Sequence, residues 1–119
     1  MAKILAVDDS PSMRKMVAVT LKSAGHEVIC AGDGADALER AKSENVELVL
    51  TDLYMPKLDG LGLVKELRAL ENYKYLPMLF LTTESNQDMK QKGKLAGATG
   101  WIVKPFAPDQ LLATIDKVL

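Results

Sequence analysis

One cysteine, one histidine, one tryptophan and two phenylalanines are spread over 119 residues, and no apolar run is more than a few residues long. Each scarcity excludes something. A lone Cys30 cannot form an internal disulfide or a multi-cysteine metal site. Runs as short as Ile4 to Val7 cannot cross a bilayer, so no membrane association is expected. The opening MAKILAVDDS has one lysine, four apolar residues and then two aspartates, which is no signal peptide. Fifteen basic against sixteen acidic residues leave a net charge of −1, so no positive field is present to draw a nucleic-acid backbone. Repeats, low-complexity tracts and linkers are also missing. What remains is 48% hydrophobic residues, enough for a core in a chain that hides roughly 65% of its unfolded surface. These features set the expectation of a single cytoplasmic domain over residues 1–119.

Apolar runs alternate with helical patterns. Ile4-Leu5-Ala6-Val7 reads as a strand, followed by Ser10 as a helix cap and Pro11 at the first helical position. Met13, Met16, Val17, Thr20 and Leu21 recur at helical spacing until Gly25. Val28–Cys30 is a second strand. Asp33-Gly34 turns into a helix through Ala37, Leu38 and Ala41. Leu48–Leu50 is a third strand ending at Thr51-Asp52, and Leu63, Leu67 and Leu70 mark a third helix. Met78–Leu81 is strand four, residues 85–97 a polar helix, Trp101–Val103 strand five. Pro108 opens a last helix with Leu111, Leu112, Ile115 and Val118. Continuous apolar strands are buried on both faces, so the five βα units predict an α/β doubly wound parallel sheet in the order 2-1-3-4-5 with five helices.

In such a sheet, ligands bind beyond the carboxyl ends of the strands. Asp8 and Asp9 follow strand one, Asp52 strand three, Thr82 and Thr83 strand four, and Lys104-Pro105 strand five. With strands one and three adjacent, three carboxylates meet and require a cation or raised pKa values. Oxygen donors without histidine or cysteine suit Mg²⁺ or Ca²⁺. A metal, the Lys104 ammonium and the Thr82 hydroxyl together suit a phosphoryl group, leaving one carboxylate as nucleophile. Any one aspartate after a strand is as well explained as a cap or turn residue; the joint occurrence at four strand ends is what points to a site.

Asp8-Asp9, Asp52, Met55-Pro56, Asp59-Gly60, Thr82 and Lys104-Pro105-Phe106, spread over the whole chain, resemble the receiver domain of bacterial two-component response regulators. The stretches Asp8 to Lys15 and Gly97 to Phe106 look like its chemotaxis, CheY-type subgroup. The resemblance implies a flavodoxin-like fold, with Asp52 as phosphoacceptor. It implies Mg²⁺ held by Asp9, Asp52 and the backbone carbonyl of Tyr54, with Asp8 contributing largely through water. Lys104 would pair with the phosphoryl group or with Asp52, Thr82 would move to bond a phosphoryl oxygen, and Trp101 would sit at the aromatic switch position. Implied partners are a CheA-like histidine kinase, a flagellar motor switch protein or other output protein, and a phosphatase. Phosphorylation would switch the surface of helix 4, strand 5 and helix 5. The implied activity is not that of an enzyme: the chain would catalyse only its own phosphoryl transfer and hydrolysis. With the last helix ending at Leu119, no output domain is expected. Trp101 stands where tyrosine or phenylalanine is usual, and Thr83 where a small residue is usual. Tyr54 and Glu84 occupy positions where the family tunes phosphoryl lifetime.

Three other readings compete. A phosphate-sink or relay receiver without motor output shares every site residue. An Asp-nucleophile Mg²⁺-dependent phosphatase would need Asp-x-Asp after strand one, whereas Asp8 and Asp9 are adjacent. A receiver-like fold used purely for interaction is disfavoured by the complete acidic set and Lys104. Gly32-Asp33-Gly34-Ala35-Asp36-Ala37 matches the loose dinucleotide fingerprint, but it follows the second strand rather than the first. The remaining residues read as bland: His26 as a surface loop residue, Cys30 as a buried small hydrophobe, the first-helix methionines as core, and Lys90, Lys92 and Lys94 as a solvated face. Gly93 weakens the fourth helix by about 1 kcal/mol, which suits a mobile element.

Overall fold

The computed structural model describes residues 2–119. Ten elements alternate along the chain: β1 (Lys3–Val7), α1 (Pro11–Ser23), β2 (Glu27–Ala31), α2 (Gly34–Ser43), β3 (Leu48–Thr51), α3 (Gly60–Arg68), β4 (Met78–Thr82), α4 (Gln87–Ala96), β5 (Gly100–Val103) and α5 (Pro108–Val118). A single 3-10 turn, Glu71–Tyr73, lies between α3 and β4. The strands form one parallel sheet in the order β2-β1-β3-β4-β5, as the apolar runs predict. Val7 pairs with Thr51, Thr51 with Phe80, and Thr82 with Val103. This register brings the residues after β1, β3, β4 and β5 out along one edge.

β3 and β4 are buried at every position, because the sheet is covered on both faces. One face carries Leu5, Val49, Met78 and Phe80 against Leu63, Leu67 and Ala96. The other carries Ile4, Leu48, Leu50 and Leu79 against Val17, Leu21, Leu111 and Ile115. Each fully buried leucine or isoleucine contributes about 1.5–3 kcal/mol, so these two clusters hold the strand ends rigidly in place. Among the described residues, no helix is long and apolar enough to cross a membrane.

The local signals work as expected in α1. The Ser10 side chain accepts from the Met13 N–H, Pro11 occupies the first turn, and Gly25 takes φ 89° just beyond the end. Several expectations are corrected. Met16 is 55% exposed, because Val17 and Leu21 form the buried stripe and Met16 lies beside it. His26 is buried, not on the surface: the turn at Gly25 folds it back, and its Nδ1 accepts the Ala2 N–H at 3.1 Å. Cys30 is only half-buried, because β2 is an edge strand. The polar helix spans Gln87–Ala96 rather than 85–97, since Asn86 accepts from the Asp88 and Met89 N–H groups and starts it there. α3 ends at Arg68, which leaves Leu70 outside it.

Candidate functional site

The site is built from four loop mouths on the carboxyl edge of the sheet. Asp8 leaves β1 with its N–H on the Ala31 carbonyl (3.1 Å), and Asp52 leaves β3 with its N–H on the Val7 carbonyl (2.9 Å). Each residue is thereby tied to the neighbouring strand. The Lys104 N–H likewise donates to the Thr82 carbonyl at 2.8 Å, joining the ends of β4 and β5. Gly60 lets α3 begin directly on this edge: a Cβ there would stand 2.2 Å from the Asp52 carbonyl oxygen.

The sequence expectation that three carboxylates converge is met. Asp8, Asp9 and Asp52 each offer one oxygen, all within 4.8 Å of one another. Asp8 is buried, Asp52 half-buried and Asp9 exposed. The Lys104 ammonium bridges the two inner ones, at 2.6 Å from Asp8 Oδ2 and 3.0 Å from Asp52 Oδ2. Pairing with Asp8 as well as Asp52 goes beyond what the residue pattern suggests. Backbone N–H groups satisfy the other oxygens: Ser10 donates to Asp8 Oδ1 (2.9 Å) and Leu53 to Asp52 Oδ1 (2.7 Å). Burial by itself pulls the Lys104 pKa down, but the hydrogen bonds and charges of Asp8 and Asp52 outweigh it. The net pKa lies above the ordinary 10.5.

Three carboxylates against one ammonium leave two excess negative charges in a cluster of hard oxygen donors. That donor set fits a divalent hard cation such as Mg²⁺. Tyr54 follows two residues after Asp52, in the same loop. Thr82, fully buried at the end of β4, accepts the Glu84 N–H on its hydroxyl at 3.3 Å.

Trp101 packs on the Phe80 side of the sheet and its neighbour Ile102 on the other, as strand alternation predicts. Its ring packs against Phe80 with centroids 5.1 Å apart, and its Nε1 donates to the Glu84 carbonyl at 2.8 Å. Gly93 has a packing reason that the sequence does not reveal. A Cβ there would meet the indole at 2.8 Å and Phe80 at 3.1 Å, so glycine is what lets α4 lie close.

Sequence reasoning missed three contributors. Arg14 on α1 donates to the Asp8 carbonyl at 2.7 Å and lies against Gly32, bracing the acidic loop. The Tyr54 phenol donates to Glu84 Oε1 at 2.5 Å, linking the loops after β3 and β4. That hydrogen bond is the main reason Glu84 titrates below the usual carboxylate range and Tyr54 above the usual phenol. Arg68 donates to the carbonyls of Tyr73, Lys74, Leu76 and Gly97, tying the start of β4 to the end of α4. Only the two-residue offsets of Tyr54 and Glu84 from Asp52 and Thr82 gave any prior signal.

The response regulator receiver domain model matches residues 4–116. A chemotaxis protein CheY homolog of Campylobacter jejuni is 39% identical over 119 residues, covering 98% of this chain and 92% of that protein. Other curated relatives are longer: the chain spans 48% of a probable transcriptional regulator of Porphyridium aerugineum that is 43% identical. Among solved structures, the chemotaxis protein CheY4 of Vibrio cholerae superposes with a TM-score of 0.97 at 50% identity, covering 100% of this chain and 99% of that one. A sensor histidine kinase receiver domain from Pseudomonas aeruginosa PAO1, with a magnesium ion coordinated in its active-site cleft, gives 0.91 at 29% identity, covering 98% and 96%.

Proposed function

The chain belongs to the response regulator receiver domain family, and on that premise we propose that it is a CheY-type receiver phosphorylated on Asp52 by a CheA-like histidine kinase. Receivers of two-component systems are signalling modules that bind Mg²⁺ at an acidic pocket, and the likeness to CheY proteins supports a chemotaxis-type role. In this reading residues 1–119 act as one cytoplasmic receiver domain that signals by reversible binding to a flagellar motor switch protein. The observation that carries the reading is the Lys104 ammonium bridging Asp8 and Asp52 beside Asp9.

The roles are those that the family resemblance implies. Asp9, Asp52 and the Tyr54 backbone carbonyl would hold Mg²⁺, with Asp8 acting largely through water. When bound, Mg²⁺ supplies positive charge against the phosphoryl oxygens. An Asp52 carboxylate oxygen forms the new O–P bond while the donor's P–N bond breaks, its electron pair returning to the imidazole nitrogen. Lys104, 3.0 Å from Asp52, would turn its ammonium from a carboxylate oxygen to a phosphoryl oxygen. The Thr82 hydroxyl would donate to another phosphoryl oxygen, releasing the Glu84 N–H that it now accepts.

Intact-mass measurement after incubation with acetyl phosphate and Mg²⁺ tests this. One phosphoryl group should add, stable to acid and labile to base and hydroxylamine. Asp52→Asn should abolish it, because an amide is no nucleophile here. Labelling that persists in Asp52→Asn moves the acceptor elsewhere.

A further inference from the structure

Two eight-residue segments on neighbouring helices repeat one pattern with opposite charge. Residues 15–22 of α1 read KMVAVTLK, and residues 109–116 of α5 read DQLLATID. The third and seventh positions of each are buried: Val17 and Leu21 in α1, Leu111 and Ile115 in α5. Each segment is bounded by two exposed like charges seven residues apart, which is about 10.5 Å along the axis. α1 holds no acidic residue at all. Among the described residues, none of Lys15, Lys22, Asp109 and Asp116 enters an ion pair.

Helix geometry explains why these charges do not pair within the chain. Both helices follow strands of one parallel sheet and cover the same face of it, so they run parallel. The lysines sit at the same angle around α1, relative to its buried stripe, as the aspartates around α5. Gln110 and Thr114 flank β5 beside Trp101 and Val103, so the opposite flank of α5, with its aspartates, turns outward and toward α1. By the same rotation the lysines of α1 turn outward and away from α5. Between the two helices runs an open apolar groove of about 500 Å³, walled chiefly by Met16, Val19, Phe106 and Pro108. Met16 and Val19 are 55% and 61% exposed.

We propose that this face is a self-association surface and that its occupant is a second copy of this chain. In a two-fold dimer whose axis runs along the helices, α1 of each copy lies in the groove of the other. Met16 and Val19 then meet their counterparts across the axis. Lys15 and Lys22 come opposite Asp109 and Asp116 of the second copy, in register because both spacings are seven residues. The two-fold makes each contact twice, so four ion pairs frame one apolar seam. A face that offers its own complement in sign and in spacing selects a second copy over other partners. Self-association of this kind does not depend on what Asp52 does, and it leaves the β5 flank of α5 free.

Sedimentation equilibrium of the full chain, without metal or phosphodonor, tests this. The wild type should form a reversible dimer. Raising salt from about 50 mM to about 500 mM should weaken it about tenfold, a little under twofold for each exposed pair. Lys15→Asp with Lys22→Asp, and separately Asp109→Lys with Asp116→Lys, should each weaken the dimer roughly tenfold or more, because like charges then face each other. All four changes in one chain restore opposite signs without altering the net charge, and should return the dimer to within about threefold of the wild type. Val19→Ser, at an exposed position on which the fold does not depend, should weaken it about fivefold, since each loss counts twice. Far-ultraviolet circular dichroism checks that each variant is folded. A wild type that stays monomeric at about 1 mM, where even a millimolar dissociation constant would show, overturns the proposal. So does a dimer indifferent to both charge reversals or to Val19→Ser, or a folded four-change chain that stays monomeric.

Discussion

Replacing Lys104 by methionine isolates the charge at the centre of the site. The side chain is 9% exposed, and its partners Asp8 and Asp52 are 8% and 12% exposed, so the aliphatic stem is packed and methionine retains most of that packing. At 2.6 Å and 3.0 Å the two attractions sum to about 3 kcal/mol in bulk water and about 12 kcal/mol at an effective dielectric near 20. Desolvation of the three groups offsets most of the larger figure. Removing one member of a buried ion pair costs about 3–5 kcal/mol, and the exposed Asp9 side of this pocket admits water, so the lower end applies. We expect Lys104→Met to lose about 3 kcal/mol without metal, a fall in Tm of about 12 °C for a domain of this size. The pKa of Lys104 lies above its ordinary 10.5 in the folded chain. Its contribution is therefore complete below pH 10.5 and fades only as pH rises above it, so neutral pH measures the full effect. The assay is urea unfolding with a chelator and again with saturating Mg²⁺. A cation binds the variant more tightly, because the competing ammonium is gone, so Mg²⁺ should narrow the gap to about half or less. An equal loss with and without Mg²⁺, or no loss with chelator, would refute the view that two buried carboxylates depend on this ammonium.

Three further variants have expected outcomes. Asp9→Ala should weaken Mg²⁺ binding on the order of tenfold or more, measured by titration calorimetry. The same variant should raise metal-free stability by about 1 kcal/mol, since one of three like charges is removed. Gly34→Ala should cost about 2–3 kcal/mol by urea unfolding, because the new Cβ would lie 2.0 Å from the Leu58 carbonyl oxygen; an unchanged midpoint would show that the two loops part freely. Tyr73→Phe should cost about 1–2 kcal/mol, because its hydroxyl lies at 2.5 Å from the Ala41 carbonyl and 2.8 Å from that of Glu44, and phenylalanine keeps only the packing.

The sequence alone determined the strands and their parallel pairing, because burial on both faces writes continuous apolar runs such as Leu48–Leu50 and Met78–Leu81 into the chain, and their order followed from the right-handed crossovers and chain reversal of a doubly wound fold. It also determined where helices start when a cap is local: Ser10, Asp33 and Asp59 each bond to an N–H three residues on. From the order of strands it followed that Asp8, Asp9, Asp52, Thr82 and Lys104 meet at one edge, and they do. Only the tertiary structure decided what those residues touch. The burial of His26 depends on Ala2, 24 residues away, and no local pattern records that contact. The exposure of Met16 depends on how α1 is rotated about its axis, which neighbouring helices set and periodicity fixes only to within a residue. Gly93 reads as a weak point along the chain, because propensity counts backbone entropy; its reason lies in the Trp101 ring across the interface. The hydrogen bonds joining Tyr54, Glu84 and Trp101 run between the loops after β3 and β4 and strand β5. Their partners lie 30 and 17 residues apart, so folding, and not sequence proximity, brings them together.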